Sequence, residues 1–305
     1  MTTTILQTDR VTWINIVQPT PADIEALGQR YPQFHPLNLS DCLTELEVPK
    51  LDHYDNYLFI VTQLPRWDAA SLICRPAEVD IFVTQGLLVT SHRGDLKPLN
   101  ELYGRLQSDP DIRQHMMGHG ASPLLYELLN TLVNYCYPIL HKVNQNIIQV
   151  EQDLFGPNTP KILQDLAIVR RDVISLRHIL HPQLEVVREL EKGNWTFIHD
   201  DLDIYWGDIS DHLAQLLLML DEQKEIVAGL SETLDTLASH RIDEVVRLLT
   251  LVTLLSVPLT VLPTIFGMNV QLPYGSHPLP FYLITLTGIL VTVLVIMYLR
   301  RRHWL

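Results

Sequence analysis

The chain has 305 residues, a formal net charge of −13 and a hydrophobic fraction of 47%, room for a globular region of about 240 residues beside a membrane hairpin. The charge is uneven: residues 241–305 hold two acids (Asp243, Glu244) and five bases, which leaves the first 240 residues at a net −16. Such a surface repels nucleic acid and anionic lipid and concentrates cations, while Cys42, Cys74 and Cys136, odd in number and without a C-x-x-C, exclude a disulfide framework and a thiolate zinc site.

The opening MTTTILQTDR has no apolar h-region and no arginine-rich amphipathic stretch, so no signal or transit peptide is expected. Residues 1–95 read as mixed α/β. VTWINIV (11–17), YLFIVTQ (57–63), EVDIFVT (78–84) and LLVTSH (87–92) are β-branched or aromatic runs bounded by turn residues, and each predicts a strand. Two helices are expected between the first two strands, over 21–31 and over 40–47, the second with Ser40 as its N-cap.

From Leu96 the pattern turns helical. Two long amphipathic stretches, 122–155 and 159–192, are separated by Gly156-Pro157-Asn158, with a kink expected at Pro138. After a linker over 193–200, a helix is predicted from Asp203 without interruption to Met268. About 65 residues at 1.5 Å each make a rod of roughly 100 Å, which needs neighbours for stability and so predicts an oligomer of parallel stalks.

The end of that rod organises the chain. Residues 248–266 carry no charge, nineteen in a row and long enough to cross a bilayer core. Steps of three and four from Asp243 pick out Val246, Thr250, Thr253, Val257, Thr260, Thr264 and Gly267, with Leu249 beside them. A hydroxyl facing lipid has no partner, so a polar seam on a spanning helix points to a bundle interior or water. The alternative is that each threonine bonds its own i−4 carbonyl. Four in one register predict a pore lining.

A loop over 270–279 without lysine or arginine follows, then a second uncharged run of nineteen over 281–299 and Arg300-Arg301-Arg302. With Arg241 and Arg247 on the other flank, the positive-inside rule places both termini in the cytoplasm and the loop outside.

No Walker loop, G-x-G-x-x-G, H-E-x-x-H or G-x-S-x-G is present, so no enzyme is expected. His115 and His119 stand four apart and His178 and His181 three apart, spacings that suit a soft metal on a helix face. Neither pair has a third ligand where one is needed, and all four read as solvated or core histidines.

Gly267-Met268-Asn269 at the outer end of the first of two spans, Leu249-Thr250 a helix length earlier, Pro258-Leu259-Thr260 in mid-span and a basic tail ending Trp304-Leu305 together resemble the CorA family of divalent-cation channels. The segments from His35 to Asp41, Pro49 to Asp52 and Tyr57 to Ile60 are similar to the cytosolic domain of that family. The resemblance implies an α+β cytosolic domain with long helices forming a funnel, two C-terminal transmembrane helices and a homopentamer in the cell's inner membrane. Divided accordingly, 1–121 is the α/β domain, 122–202 the paired helices, 203–268 the stalk and pore helix, 269–280 the outer loop, 281–299 the second span and 300–305 the tail.

By the same resemblance, hydrated Mg²⁺, with Co²⁺ or Ni²⁺ as further cargo, passes down its electrochemical gradient through a filter of Gly267, Met268 and Asn269. Glu232 corresponds in position to an acid that helps relatives bind regulatory Mg²⁺ between subunits, with Glu78 or Asp80 as candidate partners. Asp243 stands where the family has asparagine and Val246 where it has methionine, so a ring of Asp243 carboxylates is expected at the inner pore end, holding a cation against their mutual repulsion. Two alternatives remain open: a zinc transporter of the ZntB type, and a membrane-tethered sensor or scaffold that conducts nothing.

Overall fold

The computed structural model describes residues 3–44, 46–68, 73–156, 159–193, 195, 203–267 and 278–301. The chain divides into two compact units, Met1–Leu230 and Ser231–Leu305.

In the first unit six strands form one sheet in the order β1-β2-β6-β5-β4-β3: β1 (Thr3–Gln7), β2 (Thr12–Val17), β3 (Lys50–His53), β4 (Leu58–Asp68), β5 (Ile73–Val83) and β6 (Leu87–His92). The β2–β6 pair is parallel and the other pairs are antiparallel. The four predicted strands are all present. Their alternation sends Ile14, Ile16, Phe59, Val61, Phe82 and Val89 to one face, where they bury Ile24, Leu27 and Phe34 of the segment spanning α1 (Pro21–Arg30) and α2 (Pro36–Asp41). Helix α1 begins with Thr20 as N-cap, its hydroxyl accepting from Asp23 N while the Asp23 carboxylate accepts from Thr20 N.

The second helix differs from the expectation over 40–47. It runs from Pro36 to Asp41 with His35 as N-cap, the imidazole accepting from Leu37 N at 3.2 Å. Pro36 in the first turn is preorganised for a helix start, so it outcompetes Ser40, which sits inside the helix and donates to Leu37 O at 2.8 Å.

Strands β4 and β5 outrun their neighbours. β3 pairs only with Leu58 to Val61 of β4, and β6 only with Val79 to Val83 of β5, so the rest of the hairpin is a two-stranded ribbon with Pro65 opposite Pro76.

The other face of the sheet is covered by α5 (Ala121–Asn134) and α7 (Thr159–Lys192), with α3 (Lys97–Ser108) reaching β2 through Tyr103, whose ring meets Trp13 edge-on at 5.0 Å, α4 (Pro110–Met117) beside α3 and α5, and α6 (Cys136–Asp153) beside α7. The kink expected at Pro138 is a break between α5 and α6 at Tyr135. Pro138 falls in the first turn of α6, where a missing N–H costs nothing, and it cannot donate to Asn134 O to continue α5. Helix α7 keeps Pro182 in its interior; Gln183 Nε2 donates to Ile179 O at 3.3 Å, and Thr62 of β4 donates to Gln183 Oε1 at 2.7 Å.

Helix α8 (Asp203–Phe266) is 64 residues long, and its first part belongs to the first unit. There Trp206 is fully buried, its ring 6.2 Å from that of Tyr126 in a T-shaped contact, and Arg177 Nε meets Asp221 Oδ1 at 2.7 Å. The second unit holds the rest of α8 and α9 (Leu279–Arg301).

Candidate functional site

Among the described residues, the stretch Phe281–Arg301 of α9 is long and apolar enough to cross a membrane, with a mean hydropathy of 2.3. Its coverage is one-sided. Gly288 and Leu299 are buried and Ile284, Thr292, Val295 and Ile296 half-buried, at steps of three and four, whereas Phe281, Tyr282, Leu286, Leu290 and Leu294 are exposed. Exposed aromatics stand at both ends, Phe281 and Tyr282 at one and Tyr298 at the other, the distribution of an interfacial belt.

The seam on α8 is open along its length. Asp243, Val246, Leu249, Thr253, Val257, Thr260 and Thr264 are exposed and Thr250 is half-buried, while the covered stripe of the same segment is Leu251, Leu255 and Pro258. Gly267 follows the helix in a turn; Met268 and Asn269 lie outside the described residues. Each threonine hydroxyl donates to the carbonyl one turn back: Thr250 to Val246 at 2.8 Å, Thr253 to Leu249 at 2.9 Å, Thr260 to Ser256 at 2.9 Å and Thr264 to Thr260 at 2.6 Å. The back-bonding that the sequence set against a pore lining is therefore present, but on a face that stays exposed. It commits the proton and leaves lone pairs outward, so the seam presents acceptors.

Glu232 is exposed on α8 in the second unit, its own carbonyl accepting from Thr236 Oγ1 at 2.9 Å, whereas Glu78 and Asp80 lie on β5 in the first. His115, His119, His178 and His181 are all exposed, and no group of three His, Cys, Asp or Glu side chains is placed to hold a metal among the described residues.

The sheet holds two buried polar clusters, of which the sequence named Glu78 and Asp80 alone, and only as candidate partners of Glu232. In one, Trp13 Nε1 donates to Thr90 Oγ1 at 3.0 Å, Thr90 donates to Asn15 Oδ1 at 2.7 Å, and His92 Nε2 lies 3.0 Å from the same Asn15 oxygen. Gly94 N donates to His92 Nδ1 at 3.0 Å, so the ring is neutral with its proton on Nε2, and burial pushes its pKa down to about 4. Gly94 has φ +81°, and a Cβ there would meet Val17 Cγ1 at 2.7 Å.

The other cluster lines a cavity of about 610 Å³ that includes Cys42, Glu78, Asp80 and Ser91. Asp80 and Ser91 are cross-strand partners, 3% and 1% exposed. Burial first, then the negative charge of Glu78, push the Asp80 carboxyl well above the usual range. The signal in the sequence is an acid at an inward position of EVDIFVT, in alternation with Phe82.

A family model described as "CorA-like Mg2+ transporter protein" matches residues 8–301. The chain is 25% identical over 298 residues to the cobalt/magnesium transport protein CorA of Thermotoga maritima, covering 96% of this chain and 83% of that one. It is 23% identical over 228 residues to the zinc transport protein ZntB of Pectobacterium carotovorum, covering 74% and 68%. Among solved structures, the complete CorA magnesium transporter of Methanocaldococcus jannaschii superposes with a TM-score of 0.83 at 19% identity, covering 98% of this chain and 93% of that one.

Proposed function

This chain belongs to the CorA-like Mg²⁺ transporter family, a family of divalent metal ion transporters rather than enzymes, and from that premise we propose that it is a homopentameric Mg²⁺ channel. In this reading α9 and the uncharged end of α8 are the two spans of each subunit, both termini lie in the cytoplasm, and the seam from Asp243 to Thr264 lines the pore. Gly267, Met268 and Asn269 form the filter at its outer mouth, with Asn269 offering an amide oxygen. Glu232 contributes to a regulatory Mg²⁺ site between subunits.

The exposed, back-bonded threonine seam carries the reading. Mg²⁺ dehydrates reluctantly and keeps its first-shell waters, whose protons point outward. A wall suited to that hydrated ion must accept hydrogen bonds, and a hydroxyl whose proton is held by Val246, Leu249, Ser256 or Thr260 carbonyls offers only lone pairs. An inside-negative potential of 100 mV supplies about 2.3 kcal/mol per charge, hence roughly 4.6 for a divalent ion. No nucleotide hydrolysis is required.

The similarity to ZntB keeps zinc as the second reading. The seam carries hydroxyl and carboxylate oxygens and no thiol or imidazole, which favours the harder ion. Uptake of Mg²⁺ and of Zn²⁺ into proteoliposomes, each with and without a proton gradient, tests this. Mg²⁺ flux driven by voltage alone is expected; Zn²⁺ flux that needs the proton gradient would favour the ZntB reading, and flux of neither ion would leave a sensor or scaffold.

A further inference from the structure

On the reading of this end of α8 as pore wall, we propose that Ser256 is a further pore residue, the rung that completes a ladder of hydroxyl acceptors along which hydrated Mg²⁺ passes Val257. The uncharged run over 248–266 holds five hydroxyl side chains, Thr250, Thr253, Ser256, Thr260 and Thr264. Steps of three or four residues join each to the next, so at about 100° per residue all five fall within an arc of about 120°. The mean direction of that arc lies about 170° from that of the covered stripe Leu251, Leu255 and Pro258. Stepping from Thr253 through Val257 to Thr260 passes Ser256 by, although steps of three and four through Ser256 reach the same residue.

Ser256 shares two properties with its neighbours in the ladder. It is exposed, and its hydroxyl donates to Val252 O at 2.6 Å, which commits the proton and leaves the lone pairs outward. Its own carbonyl accepts from Thr260 Oγ1 at 2.9 Å. Back-bonding by itself marks no pore: on α9, Thr285 donates to Phe281 O at 2.9 Å, Thr287 to Leu283 O at 2.7 Å and Thr292 to Gly288 O at 2.8 Å. Those three form no ladder, because Thr287 lies roughly 150° around the helix from the other two, and these are about 10.5 Å apart along it.

The spacing decides what Ser256 adds. At about 1.5 Å per residue the rungs stand about 4.5, 4.5, 6 and 6 Å apart along the helix, and without Ser256 the step from Thr253 to Thr260 is about 10.5 Å. In a hydrated Mg²⁺ ion the waters on opposite sides are about 4.2 Å apart, since each Mg–O bond is about 2.1 Å. A water reaches a hydroxyl at about 2.8 Å. Two rungs therefore share one ion only when they stand less than about 10 Å apart, and that limit needs both hydrogen bonds aligned with the axis. Steps of about 6 Å meet the condition with slanted bonds; a step of about 10.5 Å does not. Val257, 48% exposed, fills that interval with methyl groups, which offer an outer-shell water no acceptor. With Ser256 in place the ion holds the rung ahead before it releases the rung behind.

The test is Mg²⁺ uptake by the full-length protein in proteoliposomes at a fixed inside-negative voltage, for the wild type, Ser256→Ala and Ser256→Thr. Ser256→Ala is expected to lower uptake at least about tenfold, the worth of one hydrogen bond to a charged partner, and Ser256→Thr to recover most of the loss. Uptake by Ser256→Ala equal to that of the wild type, at equal protein in the vesicles, overturns the proposal. Ser256→Cys gives a readout independent of transport. A water-soluble cationic thiol reagent should modify it, more slowly in MgCl₂ than in KCl at matched ionic strength, above the wild-type background set by the buried Cys42, Cys74 and Cys136. No modification above that background, or equal rates in the two salts, overturns the proposal, and this arm decides alone should Ser256→Ala fail to fold. A wild type that passes no ion refutes the transport reading; modification of Ser256→Cys slowed by Mg²⁺ would then still put Ser256 on a wet face that Mg²⁺ enters.

Discussion

Acidification from pH 7 to 4 perturbs His92 in a way whose size follows from its surroundings. The folded ring is neutral, donating from Nε2 to Asn15 and accepting at Nδ1 from Gly94 N, and its pKa is pushed down to about 4. In the unfolded chain the same ring titrates near 6.5. Below pH 6.5 the unfolded state therefore binds a proton that the folded state refuses. The stability contributed by His92 is complete above that pH, falls through the window between about 6.5 and 4, and changes no further below it. A shift of about 2.5 units at 1.36 kcal/mol each gives a loss of about 3 kcal/mol. Asp80 moves the balance the other way, since its raised pKa lets folding gain as pH falls, so the bare stability curve mixes both groups. The clean measurement is a difference: the opening free energy of β6 amides by hydrogen exchange, wild type minus His92→Gln, from pH 7.5 to 4. The difference is expected to shrink by about 3 kcal/mol as the pH falls. Parallel curves would refute the assignment of a neutral, doubly bonded ring.

Replacing Asn269 with alanine is expected to lower Mg²⁺ uptake at least about tenfold with the oligomer intact by gel filtration, since a hydrogen bond to a charged partner is worth about 1.5–3 kcal/mol; unchanged uptake would remove Asn269 from the filter. Asp243→Asn removes a ring of charge from the proposed inner pore end, so block by internal Mg²⁺ should require roughly tenfold more ion or vanish. Superimposable flux curves against internal Mg²⁺ for the two proteins would place Asp243 off the axis. A cysteine introduced at Ser276 should react with an impermeant thiol reagent from outside and one at His303 should not, as the arginine distribution requires; the reversed pattern would invert the topology.

What the sequence disclosed depended on how local the signal was. The four inner strands were legible because Val, Ile, Phe and Leu crowd them, whereas β1 (TTILQ) and β3 (KLDH) escaped notice as edge strands with polar, exposed residues. The uninterrupted helix from Asp203 was visible in its periodicity, and the break at Tyr135 followed from Pro138 three residues on. The seam was chosen from spacing alone, and the sequence set two directions for its hydroxyl protons side by side, outward or back to the i−4 carbonyl; the structure has the second. The Asn15, Thr90 and His92 cluster joins residues 75 and 77 positions apart, a pairing set by the β2–β6 register. Asp80 and Ser91 meet for the same reason across β5 and β6.

The free half of the β4–β5 hairpin has one more consequence. In an antiparallel ladder, directly opposed residues either exchange both of their hydrogen bonds or exchange none. Proline has no N–H to exchange, so Pro65 facing Pro76 fixes that rung as one that exchanges none. The backbone nitrogens of such a rung point away from the partner, toward the two outer borders of the ribbon, and here both lack a proton. A strand approaching either border finds a donor missing at that height, so the ribbon is a poor template for intermolecular β-pairing even though no third strand flanks it among the described residues. Where several copies of the chain are held side by side, that gap keeps neighbouring sheets from fusing.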